Sequence, residues 1–400
     1  MSAAHEPVAL PRLSLAERDR RYRLVRERMA RDGLDILILP ANVSRWEQMM
    51  ADSRYITTIG GFGTETLTIF PREGTVTAYV FNRSAFWLAA QDWVADVRDG
   101  RNHWADNIIE RLGECPSPPK RVGISGLAGL IRAPDGIIPW TTVERLKQAF
   151  AGTEFVDATP LIQEIRAVKS AEEIALMQRS AQIIEAMIAA MLATARAGAR
   201  ERDVYAAMVH ALLANDGEQP SLLIFGSGPD LAHGQFVPTS RVLARGDLLA
   251  NEIEARYAGY SAQAVAPASI GPANGAYLDM LHVARDAFEA IRAVMTPGTT
   301  LGALMDVYGR TVAAAGQGKY KTAHPMMHAR GLGDESPALL GDEDLERFRR
   351  VELREGMTFI LKPRVRGPDG RSAQIGDTVV VRPGGGERLG KRQLALAVID

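Results

Sequence analysis

Residues 251–263 read Asn-Glu-Ile-Glu-Ala-Arg-Tyr-Ala-Gly-Tyr-Ser-Ala-Gln, with carboxylates at Glu252 and Glu254. In an extended strand, side chains two positions apart leave the same face. Gly259 and Tyr260 then begin a return strand that carries Gln263 back beside the two acids. A carboxylate on a buried sheet face is costly unless paired, so this hairpin is expected to form the floor of an active site. Glu252 suits a nucleophile or general base, because a carboxylate facing a dry cavity has its pKa raised toward a useful range. Its plainer role is an ion pair with Lys362, and the two roles coexist if the lysine tunes the acid. Lys362 itself would hydrogen-bond a developing oxyanion or bind a substrate carboxylate, or simply compensate charge.

Other positions could bring chemistry to this floor. His233 lies in a loop flanked by Gly228 and Gly234, and His328 precedes Ala-Arg-Gly-Leu-Gly; an imidazole titrating near neutrality suits proton transfer at either. Arg330 could clamp a carboxylate through two N–H groups, with a salt bridge to Asp334 or Glu335 as its structural alternative. Gln263 could orient water or a substrate amide, or make a core hydrogen bond. Glu254 and Tyr260 join Arg330 and Gln263 as candidate substrate-binding residues, although Glu254 could equally pair with Arg256.

The surrounding pattern is mixed α/β. Ser14 and Glu17 open an amphipathic helix that closes at Gly33, followed by a short apolar strand over residues 36–39. Residues 66–70 and 75–81 alternate around Arg72-Glu73-Gly74 as a hairpin. Helical spacing returns over 87–94 and 104–112, and 121–125 reads as another strand. Ser170 and Glu173 form a second capping box, before a helix with Ile174, Met177, Ala181, Ile184, Ile188 and Met191 on one face; that stripe is core packing. Gly198 is expected to end it, and a further helix spans 201–214. The domains are placed at 1–164 and 165–400.

Composition bounds the rest. The 400 residues are 46% hydrophobic and 24% charged with a net charge of -1, which suits a globular chain and argues against nucleic acid as a partner. A single cysteine, Cys115, excludes an internal disulfide and fits a reducing compartment. The opening residues lack a basic and apolar leader, and no run approaches a membrane span. A cytoplasmic protein without a membrane partner is expected.

Lys169-Ser-Ala-Glu-Glu-Ile, Gly226-Ser-Gly-Pro before His233, Arg245-Gly-Asp-Leu-Leu, and Gly356-Met-Thr-Phe-Ile leading into Lys362-Pro363 resemble the creatinase/aminopeptidase P ("pita-bread") family over about residues 165–390. The resemblance implies a pseudo-symmetric α/β catalytic domain behind a creatinase-like N-terminal α/β domain, and a homodimer. Its peptidases hold two divalent metals with Asp, Asp, His, Glu and Glu. Those positions fall here on Glu252, Gln263, His328, Lys362 and Gly376, so one ligand of five keeps its identity. A lysine has donors only and a glycine has no ligand at all; a single ion on Glu252, His328 and Asp377 is the remaining possibility.

The resemblance also includes metal-free creatinases and ectoine hydrolases, with a catalytic His at the position of His233 in the former and Glu at that of Glu252 in the latter. The expectation is therefore a metal-independent hydrolase, without cofactor, cleaving a C–N bond of a small polar non-peptide substrate. Glu252, His233, His328 and Lys362 would be catalytic, and Arg330, Gln263, Glu254 and Tyr260 would bind substrate. The alternatives are an Xaa-Pro-type metallopeptidase with an atypical metal site, a lyase on the same fold, and a non-catalytic binding domain.

Overall fold

The computed structural model describes residues 10–400 except 41–50, 62, 102, 130, 132, 220–221, 230–236, 317 and 323–324. It separates into two compact units, Met1–Arg166 with Leu332–Asp334, and Ala167–Gly331 with Glu335–Asp400.

The first unit runs α1 (Leu15–Asp32), β1 (Ile36–Leu39), α2 (Ala51–Thr57), β2 (Thr66–Pro71), β3 (Thr77–Val80), α3 (Ser84–Ala90), β4 (Asp96–Asp99), α4 (Trp104–Gly113), β5 (Arg121–Ile124), α5 (Trp140–Ala149), β6 (Glu154–Asp157) and α6 (Thr159–Arg166). Its strands form one mixed sheet in the order β4-β3-β2-β1-β5-β6. Ile36, Ile38, Leu67, Ile69, Val122 and Ile124 meet Ile108, Leu112 and Leu146 of α4 and α5 in a core. Ser14 caps α1 by accepting from the Glu17 amide, and Gly33 closes it in the left-handed region.

The buried stripe of α1 is Glu17, Arg21, Val25 and Met29, charged at its first two positions. Arg21 is tolerated there because its guanidinium donates to Glu17 at 2.7 Å and to the Tyr55 carbonyl at 2.7 Å, and lies 4.0 Å from the Tyr55 ring centroid. The helix expected over 87–94 starts earlier, at Ser84, and ends at Ala90; beyond it the Gln91 side chain accepts from the amides of Trp93 and Val94.

The second unit runs α7 (Ala171–Thr194), α8 (Glu201–Ala214), β7 (Leu223–Gly228), β8 (Leu248–Tyr257), β9 (Tyr260–Ala264), β10 (Ala268–Ile270), α9 (Gly275–Ala293), α10 (Leu301–Gly316), β11 (Lys321–Thr322), β12 (Met327–Arg330), β13 (Asp334–Leu339), α11 (Asp342–Phe348), β14 (Thr358–Leu361), β15 (Arg364–Arg366), β16 (Ser372–Gln374), β17 (Asp377–Arg382), β18 (Gly385–Arg388) and β19 (Ala397–Ile399). The Ser170–Glu173 capping box is complete, and the apolar stripe of α7 is buried as expected. The helix stops at Thr194, short of Gly198, because Ala195 already turns extended.

One sheet has the order β19-β10-β8-β7 with β9 on β8, another β13-β12-β14-β17-β18, and a third β11-β15-β16. Helices α9 and α10 supply Met280, Leu281, Phe288, Ile291 and Leu304 to a core shared with Phe359, Leu361, Val379 and Val381. Among the described residues no helix is long and apolar enough to cross a membrane.

Candidate active site

The site grows from the β8–β9 hairpin, whose two-residue turn places Ala258 at φ 51° and Gly259 at φ 85°. Positive φ at both turn positions is the twist-matched geometry for a tight hairpin, and it fixes Tyr257 opposite Tyr260 and Glu254 opposite Gln263. Glu252, Glu254 and Gln263 therefore share one face. Gln263 is tied to β17 through its backbone, donating to Thr378 Oγ1 at 2.8 Å and accepting from it at 2.9 Å. Two residues further, Val265 pairs with Gly376. These bonds bring the hairpin against the ends of β14 and β17, where Leu361 faces Asp377, so that Lys362 and Gly376 follow as the next opposed pair.

At the centre, Lys362 Nζ donates to Glu252 Oε2 at 2.5 Å, and Gln263 Nε2 donates to the same oxygen at 3.2 Å. The lysine side chain is 5% exposed and that of Glu252 13%, so the carboxylate is the part of the pair that solvent reaches. Burial pushes the Glu252 carboxyl up, but the charge and hydrogen bond of Lys362, helped by His328 and Arg364, outweigh it and hold Glu252 below the ordinary carboxylate range. The expected upward shift is corrected on this point: the cavity is not dry of charge. His328, on β12, is buried with its Nδ1 3.3 Å from the Ala329 carbonyl. The Gln263 amide is oriented by giving its NH2 to the acid, and its Oε1 is buried and finds no hydrogen-bond donor among the described residues.

The remaining sequence candidates separate. Arg330 is paired with Glu254, and Arg256 stands 3.7 Å from the same acid. All three are buried, so Arg330 and Glu254 make a structural ion cluster beside Glu252. Glu335 instead pairs with Lys169. Tyr260 leaves the opposite face of the hairpin, where its hydroxyl bonds Glu173 of α7 at 2.9 Å; an odd spacing from Gln263 separates the two. His233 lies outside the described residues. Sequence reasoning missed Arg364, whose charge acts on Glu252, and Gln374, which hydrogen-bonds it at 3.1 Å. The spacing of two in Lys362-Pro363-Arg364 was the available signal.

The donor set does not fit a pair of divalent ions. Among the described residues no three His, Cys, Asp or Glu side chains are grouped to hold a metal, and the lysine ammonium occupies the Glu252 oxygen that a cation would need. At Gly376 even the stem of a ligand is obstructed, since a Cβ would lie 2.5 Å from Lys362 Cβ and 2.7 Å from the Leu361 carbonyl. Asp377 does not complete a single-ion site either: it receives Arg388 at 2.8 Å.

Comparison with known proteins gives the lineage. Residues 21–168 match the Creatinase/Prolidase N-terminal domain, and residues 175–383 match Metallopeptidase family M24. The Xaa-Pro dipeptidase of Pyrococcus furiosus is 25% identical over 264 residues, 66% of this chain and 74% of that protein. The agropine synthesis cyclase of Rhizobium rhizogenes is 29% identical over 285 residues, 67% and 70% of the two chains. The prolidase crystal structure from Pyrococcus horikoshii OT3 superposes with a TM-score of 0.76 at 21% identity, covering 94% of this chain and 99% of that one, which establishes the fold.

These findings correct the expectation of a metal-independent hydrolase for a small non-peptide. The family is described as a metallopeptidase family and its relative as an Xaa-Pro dipeptidase, so kinship points to the peptide bond. Since residues 175–383 are more than half of its 400 residues, the chain belongs to Metallopeptidase family M24, with the two-domain pita-bread architecture of the prolidases.

Proposed function

We propose that this chain is a hydrolase of the Xaa-Pro dipeptidase type whose centre is atypical, built around the Glu252–Lys362 pair rather than around a full set of metal ligands. The observation that carries it is the side-by-side presentation of Glu252 and Gln263 on one hairpin face, with Lys362 closing on them, in a chain matched along both domains by a prolidase structure. Gln263 Oε1 supplies the buried acceptor that an N–H of a dipeptide would fill. Glu252, ionised at neutral pH, accepts a hydrogen bond from the attacking water. Lys362 and His328 present N–H groups toward the oxygen on which charge develops and toward the leaving nitrogen. Tyr260, Arg330 and Glu254 take no part in substrate contact. A homodimer in the cytoplasm belongs to the same proposal.

Release of proline from Gly-Pro, Ala-Pro and Met-Pro tests this, with the purified chain assayed as isolated, after chelation, and with added Mn(II) or Co(II). Proline should appear, and Glu252→Gln should lower kcat by roughly 100-fold or more. Elemental analysis should find fewer than two tightly held ions per chain. Failure to cleave any dipeptide under every loading overturns the peptidase reading, and two retained ions per chain overturn the atypical centre.

A second reading is favoured by the relative named as a cyclase. In it an internal nucleophile of the bound molecule replaces water at the same carbon. Reaction in water enriched in oxygen-18 separates the two, because hydrolysis must place solvent oxygen in the product and cyclisation does not.

A further inference from the structure

The balance of charge around Glu252 is the reverse of a cation site. Glu252 is paired with the Lys362 ammonium, and the charge of Arg364, two positions along the chain, also acts on it. Lys362 is balanced by that carboxylate, whereas Arg364 has no acidic partner among the described residues. It is the first residue of β15, two positions beyond Lys362 and separated from it by Pro363, and it is only partly buried. Its guanidinium hydrogen-bonds one neutral group, Gln374 Oε1 at 3.1 Å, and makes no ion pair with any carboxylate among the described residues. Most of its five N–H donors are therefore uncommitted.

The arginine is nevertheless held in place. Gln374 lies directly opposite Arg364 in the β15–β16 register, and the same amide donates through Nε2 to the Lys362 carbonyl at 2.9 Å. One side chain thus braces both the guanidinium and the backbone of the catalytic lysine. A planar fork of donors, positioned by a neutral partner beside a site rich in positive charge, matches a carboxylate in bidentate geometry. On the same floor, Gln263 Oε1 is a buried acceptor with no donor among the described residues. A ligand bearing both a carboxylate and an N–H satisfies both groups at once.

We propose that Arg364, braced by Gln374, is the subsite that binds the free carboxylate of the substrate, making the site selective for small molecules that pair a carboxylate with an amine or amide N–H. This deepens the dipeptidase reading and rests on it for the identity of the substrate. Arg364 is a specificity-determining residue, and Gln374 a positioning residue that acts through it.

A non-cleavable analogue of Gly-Pro tests the proposal. N-(2-aminoethyl)-L-proline, in which the peptide carbonyl is replaced by methylene, is titrated calorimetrically into the full-length chain as the free acid and as its carboxamide. The acid should bind roughly tenfold or more tighter than the amide, the span expected for charge-assisted hydrogen bonds. Arg364→Met should bring the two within about twofold, and Arg364→Lys should restore part of the preference; circular dichroism verifies that each variant is folded. Gln374→Ala should weaken the acid and leave the amide unchanged. Equal binding of acid and amide by the unaltered chain, a preference that survives Arg364→Met, or no saturable binding of the acid overturns the subsite. If the preference follows Arg364 but no Xaa-Pro dipeptide is cleaved, hydrolysis fails and the subsite stands; if dipeptides are cleaved without that preference, hydrolysis stands and the subsite fails.

Discussion

Gly376 stands opposite Lys362, and a Cβ on the glycine would lie 2.5 Å from the Cβ of the lysine. The two positions are therefore coupled: the strand ends approach so closely that only a residue without a side chain fits across from Lys362. Gly376→Ala forces the backbone of β17 away from β14 and strains the bridge between Val265 and Gly376. It should cost about 1–3 kcal/mol, the range for overpacking a filled position. Urea denaturation of the two proteins measures it, and an unchanged midpoint would show that the strand ends separate freely.

The pair formed by Glu252 and Lys362 is largely buried, so its halves should not be removable independently. Lys362→Met leaves the carboxylate without its counter-charge and should destabilise the protein by about 3 kcal/mol. Adding Glu252→Gln should recover a large part of that loss, because an uncharged pair no longer carries the desolvation penalty of a lone ion. A double-mutant cycle in urea reports the coupling, and additive losses would mean that solvent already compensates each charge.

The sequence made the hairpin legible for a simple reason: period-two spacing and a glycine turn are local, and they fix which side chains share a face. The same holds for the helix caps at Ser14 and Ser170, where side chain and backbone amide are three residues apart. Tyr260 falls on the face away from the expected one although its register is equally local, because the two-residue turn pairs it with Tyr257 and not with an acid. Arg330 is different. Its pairing with Glu254 depends on β12 approaching β8, which no spacing along the chain encodes. Arg21 shows the converse limit, a charged residue in a core stripe that becomes acceptable only once Glu17, Tyr55 and Trp93 surround it.

Acid should loosen the centre in a definite window. The folded pKa of Glu252 is held below its ordinary value by Lys362, so ionisation of this group stabilises the fold fully above the unfolded value. The contribution is then lost as pH falls through the lower folded value. The stability difference between the unaltered chain and Glu252→Gln should be flat from neutrality to about pH 5 and shrink below the ordinary carboxylate pKa of about 4.3. Thermal unfolding of both proteins across this range checks the sign, and a difference that grew on acidification would mean that burial, not Lys362, dominates the carboxyl.

Arg330 and Arg364 should give opposite phenotypes, although both are arginines near the same face. The Arg330 side chain is 3% exposed and that of Glu254 0%, so Arg330→Met removes a counter-charge from a carboxylate in the interior. The expected loss is about 3–5 kcal/mol, the cost of breaking a buried pair. Its effect on substrate should be confined to the fraction of folded protein, leaving KM for an Xaa-Pro dipeptide unchanged. Arg364 is tied only to a neutral amide, and Arg364→Met should leave the unfolding midpoint nearly unmoved while raising KM. Measuring both parameters on both variants distinguishes the arginine that holds the fold from the one that reads the ligand. A raised KM in Arg330→Met at full folding would return that residue to the substrate site.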